Sequence, residues 1–206
     1  MKKKLIFLVS MAVCLTIAKG YGQNFAVKSN LLYDATLSFN GGVEFALSDQ
    51  LTLDISGQYN PWAFPQYVKN IQTGVKTKDH SAYLKHWFIQ PELRWWLCEK
   101  FNGHFFGAHL HGGAYNFGGL SFLPDGIGDK GIQNHRYNGW FAGGGVSYGY
   151  HWILSSRFSL EFTLGAGYAY LKFDRYPCAD CGTPESKYLH YFGPTKAGIT
   201  AIFMLH

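Results

Sequence analysis

Apolar and polar residues alternate with a period of two through most of the chain, the signature of β-strands rather than helices. From Phe158 to Tyr170, the residues Phe158, Leu160, Phe162, Leu164, Ala166, Tyr168 and Tyr170 fall on one face, opposite Ser159, Glu161, Thr163, Gly165, Gly167 and Ala169. Trp140, Ala142, Gly144, Val146, Tyr148, Tyr150 and Trp152 are set against Phe141, Gly143, Gly145, Ser147, Gly149 and His151 in the same way, and Leu51, Leu53, Ile55 and Tyr59 against Thr52, Asp54, Ser56, Gln58 and Asn60. The pattern predicts eight strands: 25–35, 41–47, 51–60, 83–97, 104–116, 137–152, 158–172 and 191–205.

The connections between these strands carry as much information. Residues 48–50, 98–103 and 153–157 are short links, whereas 61–82, 117–136 and 173–190 are long, and apart from the first link (36–40) the two kinds alternate. Outer-membrane barrels have that anatomy, short periplasmic turns and longer external loops. The expected fold is therefore all-β, an eight-stranded antiparallel up-and-down transmembrane β-barrel, whose lumen side chains just fill. Three features favour lipid on the outside. The apolar-face positions named above, up to Tyr170 in the strand 158–172, carry no charge, and the opposite faces hold Gly, Ser, Thr and isolated acids rather than a Lys/Glu coat. Aromatics also gather near strand ends, at Tyr59 and Trp62, Trp95 and Trp96, Trp140, Trp152, Tyr168 and Tyr170, as interfacial girdles do. A soluble lipocalin-like barrel or a β-sandwich is the competing architecture.

The N-terminus breaks the alternation. Lys2, Lys3 and Lys4 precede an apolar run from Leu5 to Ala18 that ends in Lys19-Gly20-Tyr21-Gly22, the order of a secretory signal peptide. Cleavage is expected before Gln23 or, second, before Tyr21. Cys14 follows Val13 inside the apolar run, which disfavours a lipoprotein. The chain then divides into a signal peptide, 1–22, and one barrel domain, 23–206. The whole chain has a net charge of +5, but four of its 18 bases and none of its 13 acids lie in residues 1–22, so the remainder carries only +1. No basic face is left to suggest a nucleic-acid partner. At 15% charged and 18% aromatic, the composition excludes a disordered chain.

Several stretches taken together resemble a known family: Lys28–Asp34 (KSNLLYD), Tyr59–Trp62 (YNPW), Arg94–Glu99 (RWWLCE), Phe101–Gly107 (FNGHFFG), Gly139-Trp140, Gly145–Tyr150 (GVSYGY), Tyr176–Gly182 (YPCADCG) and Tyr191–Gly198 (YFGPTKAG). The likeness is to uncharacterised outer-membrane proteins of Bacteroidota, defined as a domain of unknown function. It implies an outer-membrane barrel, often encoded near genes for fimbria-type surface structures, and no catalytic residues. The ending Phe203-Met204-Leu205-His206 departs from the terminal Phe of many outer-membrane proteins.

Candidate chemistry falls in the lumen and the loops. Lys28, Asp34, Glu44, Asp54, Glu92, Arg94, Glu161 and Lys196 are expected to face inward, where buried charges must pair; a structural plug is the leading reading and a proton-responsive gate the alternative. Cys178 and Cys181 form a CxxC in the last long loop, expected as a disulfide in an exported protein. A redox pair, or a metal site completed by His190 and His80, are the alternatives. Cys98 belongs to a short turn at the opposite end. His109 and His111 share a face, and with His151 could ligate zinc if that face is the lumen; histidines hydrogen-bonded within a polar lumen are the plainer reading. Ser147, His151 and Glu161 share the inward face, without a nucleophile motif. Residues 61–82 mix Lys69, Lys76 and Lys78 with Trp62, Phe64 and Tyr67; an ordinary solvated loop is the leading reading, and glycan or protein recognition, which such a composition suits, the alternative. The sequence thus points to a non-catalytic outer-membrane barrel without cofactor or metal, in contact with outer-membrane lipid and possessing loops for surface or fimbrial proteins. A lipid-modifying enzyme and a small pore or ligand-binding barrel are the alternatives.

Overall fold

The computed structural model describes residues 24–69, 76–118, 135–177 and 182–205. These contain nine strands and one short helix: β1 (Phe25–Asn30), α1 (Leu31–Ala35), β2 (Phe39–Ala46), β3 (Leu51–Asn60), β4 (Ala63–Lys69), β5 (Lys76–Trp96), β6 (Gly103–Gly118), β7 (Arg136–Ile153), β8 (Phe158–Tyr176) and β9 (Glu185–Leu205). Every pairing is antiparallel. The order β3-β2-β1-β9-β8-β7-β6-β5 closes through β3–β5, giving an eight-stranded antiparallel up-and-down barrel. β4 is no ninth stave. It pairs with the same edge of β5 as β3, Asn60 opposite His86 and Ala63 opposite Tyr83, so it continues β3 beyond a break at Pro61-Trp62.

Three strand expectations change. The first strand stops at Asn30 rather than Ala35. The Asn30 side chain accepts from Leu32 N at 3.1 Å and caps α1, the role for which Asn is among the best residues. The connection expected over 61–82 is largely the β4–β5 hairpin, and β8 and β9 extend the last long connection's walls to Tyr176 and Glu185. The remaining ends move by three residues or fewer.

One end of the barrel carries the tight turns 47–50, 97–102 and 154–157, and there β1 meets β9 from Phe25–Leu205 to Asn30–Thr200. The other end is uneven. β9 from Glu185 to Ile199 is paired with β8 alone and β4 with β5 alone, so among the described residues the wall has a notch above the short β1–α1–β2 rim. A bare edge exposes unpaired backbone groups. Here Asn30 Nδ2 donates to Ala197 O at 3.3 Å and Tyr191 OH to Pro194 O at 3.2 Å. Pro194 has no N–H to leave unpaired, and it adjoins the bulge opposite Gly165/Ala166, both settings in which a strand tolerates proline.

The burial pattern is inverted relative to a soluble barrel. Leu110, Val146 and Leu164 point outward and are each 67% exposed, whereas Lys28, Glu44, Asp54, Glu92, Arg94 and Glu161 point inward and are at most 5% exposed. Trp95, Trp140 and Trp152 lie on the outer face with Tyr59. Trp96 does not belong with them. It follows Trp95, and the two-residue period turns it inward, where it is fully buried.

Candidate functional site

The lumen is filled in three layers. Nearest the tight turns is an apolar plug of Ala26, Trp96, Phe101, Phe105, Ile202 and Met204. Phe101 is a turn residue with φ +60°, a region bulky residues seldom occupy, and that conformation accompanies a ring only 2% exposed, packed 5.9 Å from Trp96. Trp96 Nε1 donates to Thr52 Oγ1 at 2.9 Å, and Thr52 donates in turn to Glu44.

Above the plug lies a charge cluster drawn from six strands. The Arg94 guanidinium reaches Glu92 (2.6 Å), Asp54 (2.8 Å), Glu161 (2.8 Å) and Glu44 (2.9 Å), with its flat face 4.5 Å from the Phe105 ring centroid. Lys28 is paired with Glu44 and lies 3.0 Å from both Asp54 and Glu161; Lys196 holds Glu92 at 2.7 Å. Ser147 donates to Glu92, Thr163 donates to Glu161 at 2.9 Å, and His109 Nδ1 stands 3.8 Å from Glu92. Each carboxylate is therefore bridged by a cation, the condition under which buried charge is tolerated. Gly107 makes the space: a Cβ there would fall 2.6 Å from Glu92 Oε1. Of the eight charged residues read from sequence, seven meet here. Asp34 does not. It lies on α1, where it accepts from Ser29 Oγ at 2.9 Å and Asn40 Nδ2 at 2.6 Å, and it organises the rim.

The third layer is open. Between the charge cluster and the long-connection end, a cavity of about 640 Å³ is walled by Phe88, Tyr115, Phe117, Phe141, Phe173 and Leu189 among others. Its floor is polar, with Gln90, His111, Thr195 and Tyr33 of α1. No acid, lysine or arginine is among the described residues that line it. Gly143 admits His111 to this floor, since a Cβ there would lie 2.7 Å from His111 Nε2. The expectation of a lumen just filled by side chains thus holds below and fails above. Composition could hint at the cavity through its aromatics, but only the register puts them on one inner wall.

The other candidates separate. His109 bonds Thr195 Oγ1 at 2.9 Å, and His111 is its neighbour, but His151 is six positions along β7 from Gly145, the partner of His109. That is about 20 Å of strand, and no metal-binding group of three ligands occurs among the described residues. His104 points outward and bonds Tyr148 at 2.6 Å. Ser147 is engaged by Glu92, and both ring nitrogens of His151 lack a hydrogen-bond partner among the described residues, so Ser147 and His151 do not form a nucleophile–base pair. Trp62 is not a free recognition residue: its Nε1 donates to Leu37 O at 2.7 Å, and its ring stacks on Phe39. His190 bonds Tyr168 at 2.7 Å on the outer wall. Residues 1–22, Cys178, Cys181 and the side chains of Phe64, Tyr67, Lys69, Lys76, Lys78 and His80 lie outside the described residues.

Among known proteins, a family described as "Protein of unknown function (DUF3575)" matches residues 5–205. No curated protein and no solved structure matches significantly. The match covers nearly the whole of the chain, whose strands close into one barrel, and the chain belongs to the DUF3575 family of proteins of unknown function.

Proposed function

We propose that this chain is a non-catalytic outer-membrane barrel, exported through a cleaved signal at 1–22, that serves an accessory role in cell-surface structures through its external end. The inverted burial carries this reading: a barrel with charge inside and a continuous apolar exterior requires an apolar surrounding. The dimensions agree. Trp152 and Trp140 are twelve residues apart on β7, about 40 Å of strand, or about 30 Å of height at a tilt near 40°, against an apolar band of about 25 Å in such barrels. Tight turns would then face the periplasm and the long connections the outside.

The stacked plug and charge cluster support a non-conducting barrel, and the separated Ser147 and His151 support one without hydrolytic chemistry. The resemblance to Bacteroidota outer-membrane proteins, and the fimbrial gene neighbourhood this implies, supports the accessory role. Fractionation tests the core of the proposal. The protein is expected in the outer-membrane fraction, migrating faster unboiled than boiled on a detergent gel. A soluble periplasmic protein with no heat shift would overturn it.

A further inference from the structure

The upper cavity and the notch in the wall are one feature. β9 lines the cavity and, from Glu185 to Ile199, has no strand on its free side among the described residues; the β3–β4 stave borders the other side of that sector, with the cavity-lining β5 behind it. α1 lies at the foot of this gap and sends Tyr33 into the cavity. The rim presents large apolar side chains, with Leu37 72%, Phe39 63% and Phe192 77% exposed, and its one exposed acid, Asp34 of α1, is held by Ser29 and Asn40. Those apolar side chains continue the apolar exterior, and the first charged residue on the outer face of β8, Lys172, lies beyond them, opposite Tyr188. Among the described residues, an apolar molecule leaving the surrounding leaflet at this height meets an opening rather than a closed wall.

Inside, the chemistry is that of a site for one amphiphile. The walls are aromatic and aliphatic, and the volume lies within the roughly 300–1,000 Å³ of small-molecule sites. Polar groups converge at the floor, and higher on the wall His86 is engaged by Gln58 at 2.7 Å. At the floor His111 is 8% exposed, and its Nδ1 has no hydrogen-bond partner among the described residues, an unmet requirement that costs free energy unless a ligand or water meets it. The absence of acidic, lysine or arginine lining among the described residues disfavours a multiply charged solute.

We propose that this cavity binds a single-chain lipid with a compact polar head, of the fatty-acid class, admitted sideways from the outer leaflet through the gap between β9 and the β3–β4 stave. The head meets His111 and Gln90 at the floor, and the chain lies against Phe88, Phe117 and Phe141. The inference rests on the membrane reading above and adds the ligand class.

The test is photolabelling of the full chain refolded in lipid vesicles containing palmitic acid with a terminal diazirine, followed by peptide mass spectrometry. Labels are expected on lumen-facing Phe117, Phe141 and Tyr191 as well as on lipid-facing Trp140 and Leu164. Ala169→Trp, which fills the cavity from β8, is expected to lower the inward labels at least tenfold and spare the outward ones. If that variant loses its heat shift on gels, Leu189→Trp, at a half-exposed position on β9, replaces it. His111→Leu is expected to lower the inward labels at least threefold. Outward labels alone, or inward labels indifferent to both filling variants, would sink the lipid site while leaving the membrane barrel standing. An absence of label on either face would sink the membrane reading itself.

Discussion

At the scale of single residues, the interior is governed by the cost of buried charge. Arg94 touches four carboxylates, and removing one partner of a buried pair typically costs about 3–5 kcal/mol. Arg94→Ala is accordingly expected to lower barrel stability by that amount in denaturant titrations in vesicles, and an unchanged midpoint would mean the cluster is not structural. Gly107→Ala tests the same cluster by volume. The added methyl meets the Glu92 carboxylate and Ser147, so a loss of about 1–3 kcal/mol is expected, as for other overpacked interiors. Sequence revealed which charged residues turn inward, because the strand period fixes the face. It did not reveal that Asp34 stays out, since a local event, the Asn30 cap, ends the strand before reaching it. Trp96 was misread for a related reason. Two adjacent tryptophans suggest a girdle by composition, but neighbours on a strand occupy opposite faces.

At the scale of elements, β7 is legible to within a residue at each end and β8 at its start, because long unbroken alternation leaves one solution. β4 was not. Its residues lack a clean period, and its pairing comes from the upper half of β5, which reaches past the barrel's lower rim. The lipid-facing reading of these elements predicts a depth profile. Leu164→Arg and Val146→Arg, at mid-height on β8 and β7, are each expected to destabilise the barrel by about 2–4 kcal/mol, whereas Tyr188→Arg, beside Lys172 near the upper limit of the apolar band, is expected to cost about 0–1 kcal/mol. Refolding titrations in vesicles measure both. A uniform small cost would mean these faces do not meet hydrocarbon.

At the scale of the whole molecule, the stacked layers and the two unlike ends define the expectations. The filled lower lumen predicts no steady conductance in planar bilayers; stable channel steps would show that the charge cluster opens. The arrangement also predicts sidedness. Cys98 is exposed in a tight turn, whereas β8 ends at Tyr176 and β9 begins at Glu185 at the opposite end. After mild reduction, an impermeant maleimide on intact cells is expected to label Cys178 and Cys181, and to label Cys98 only after permeabilisation. A Cys98–Cys178 bridge within one chain would contradict the topology, because a disulfide needs Cα atoms within about 7 Å. What the sequence by itself determined is the barrel: the period of two sets the faces, the connection lengths set the order, and the distribution of charge sets which face lies inside. Only the tertiary structure decided the rest. The union of seven charged residues into one cluster, the Phe101 plug, the aromatic cavity and the notch beside β9 all depend on register between strands far apart in the chain. A period of two assigns each side chain to a face but carries no information about its height, and height separates a plug, a salt-bridge cluster and an open cavity.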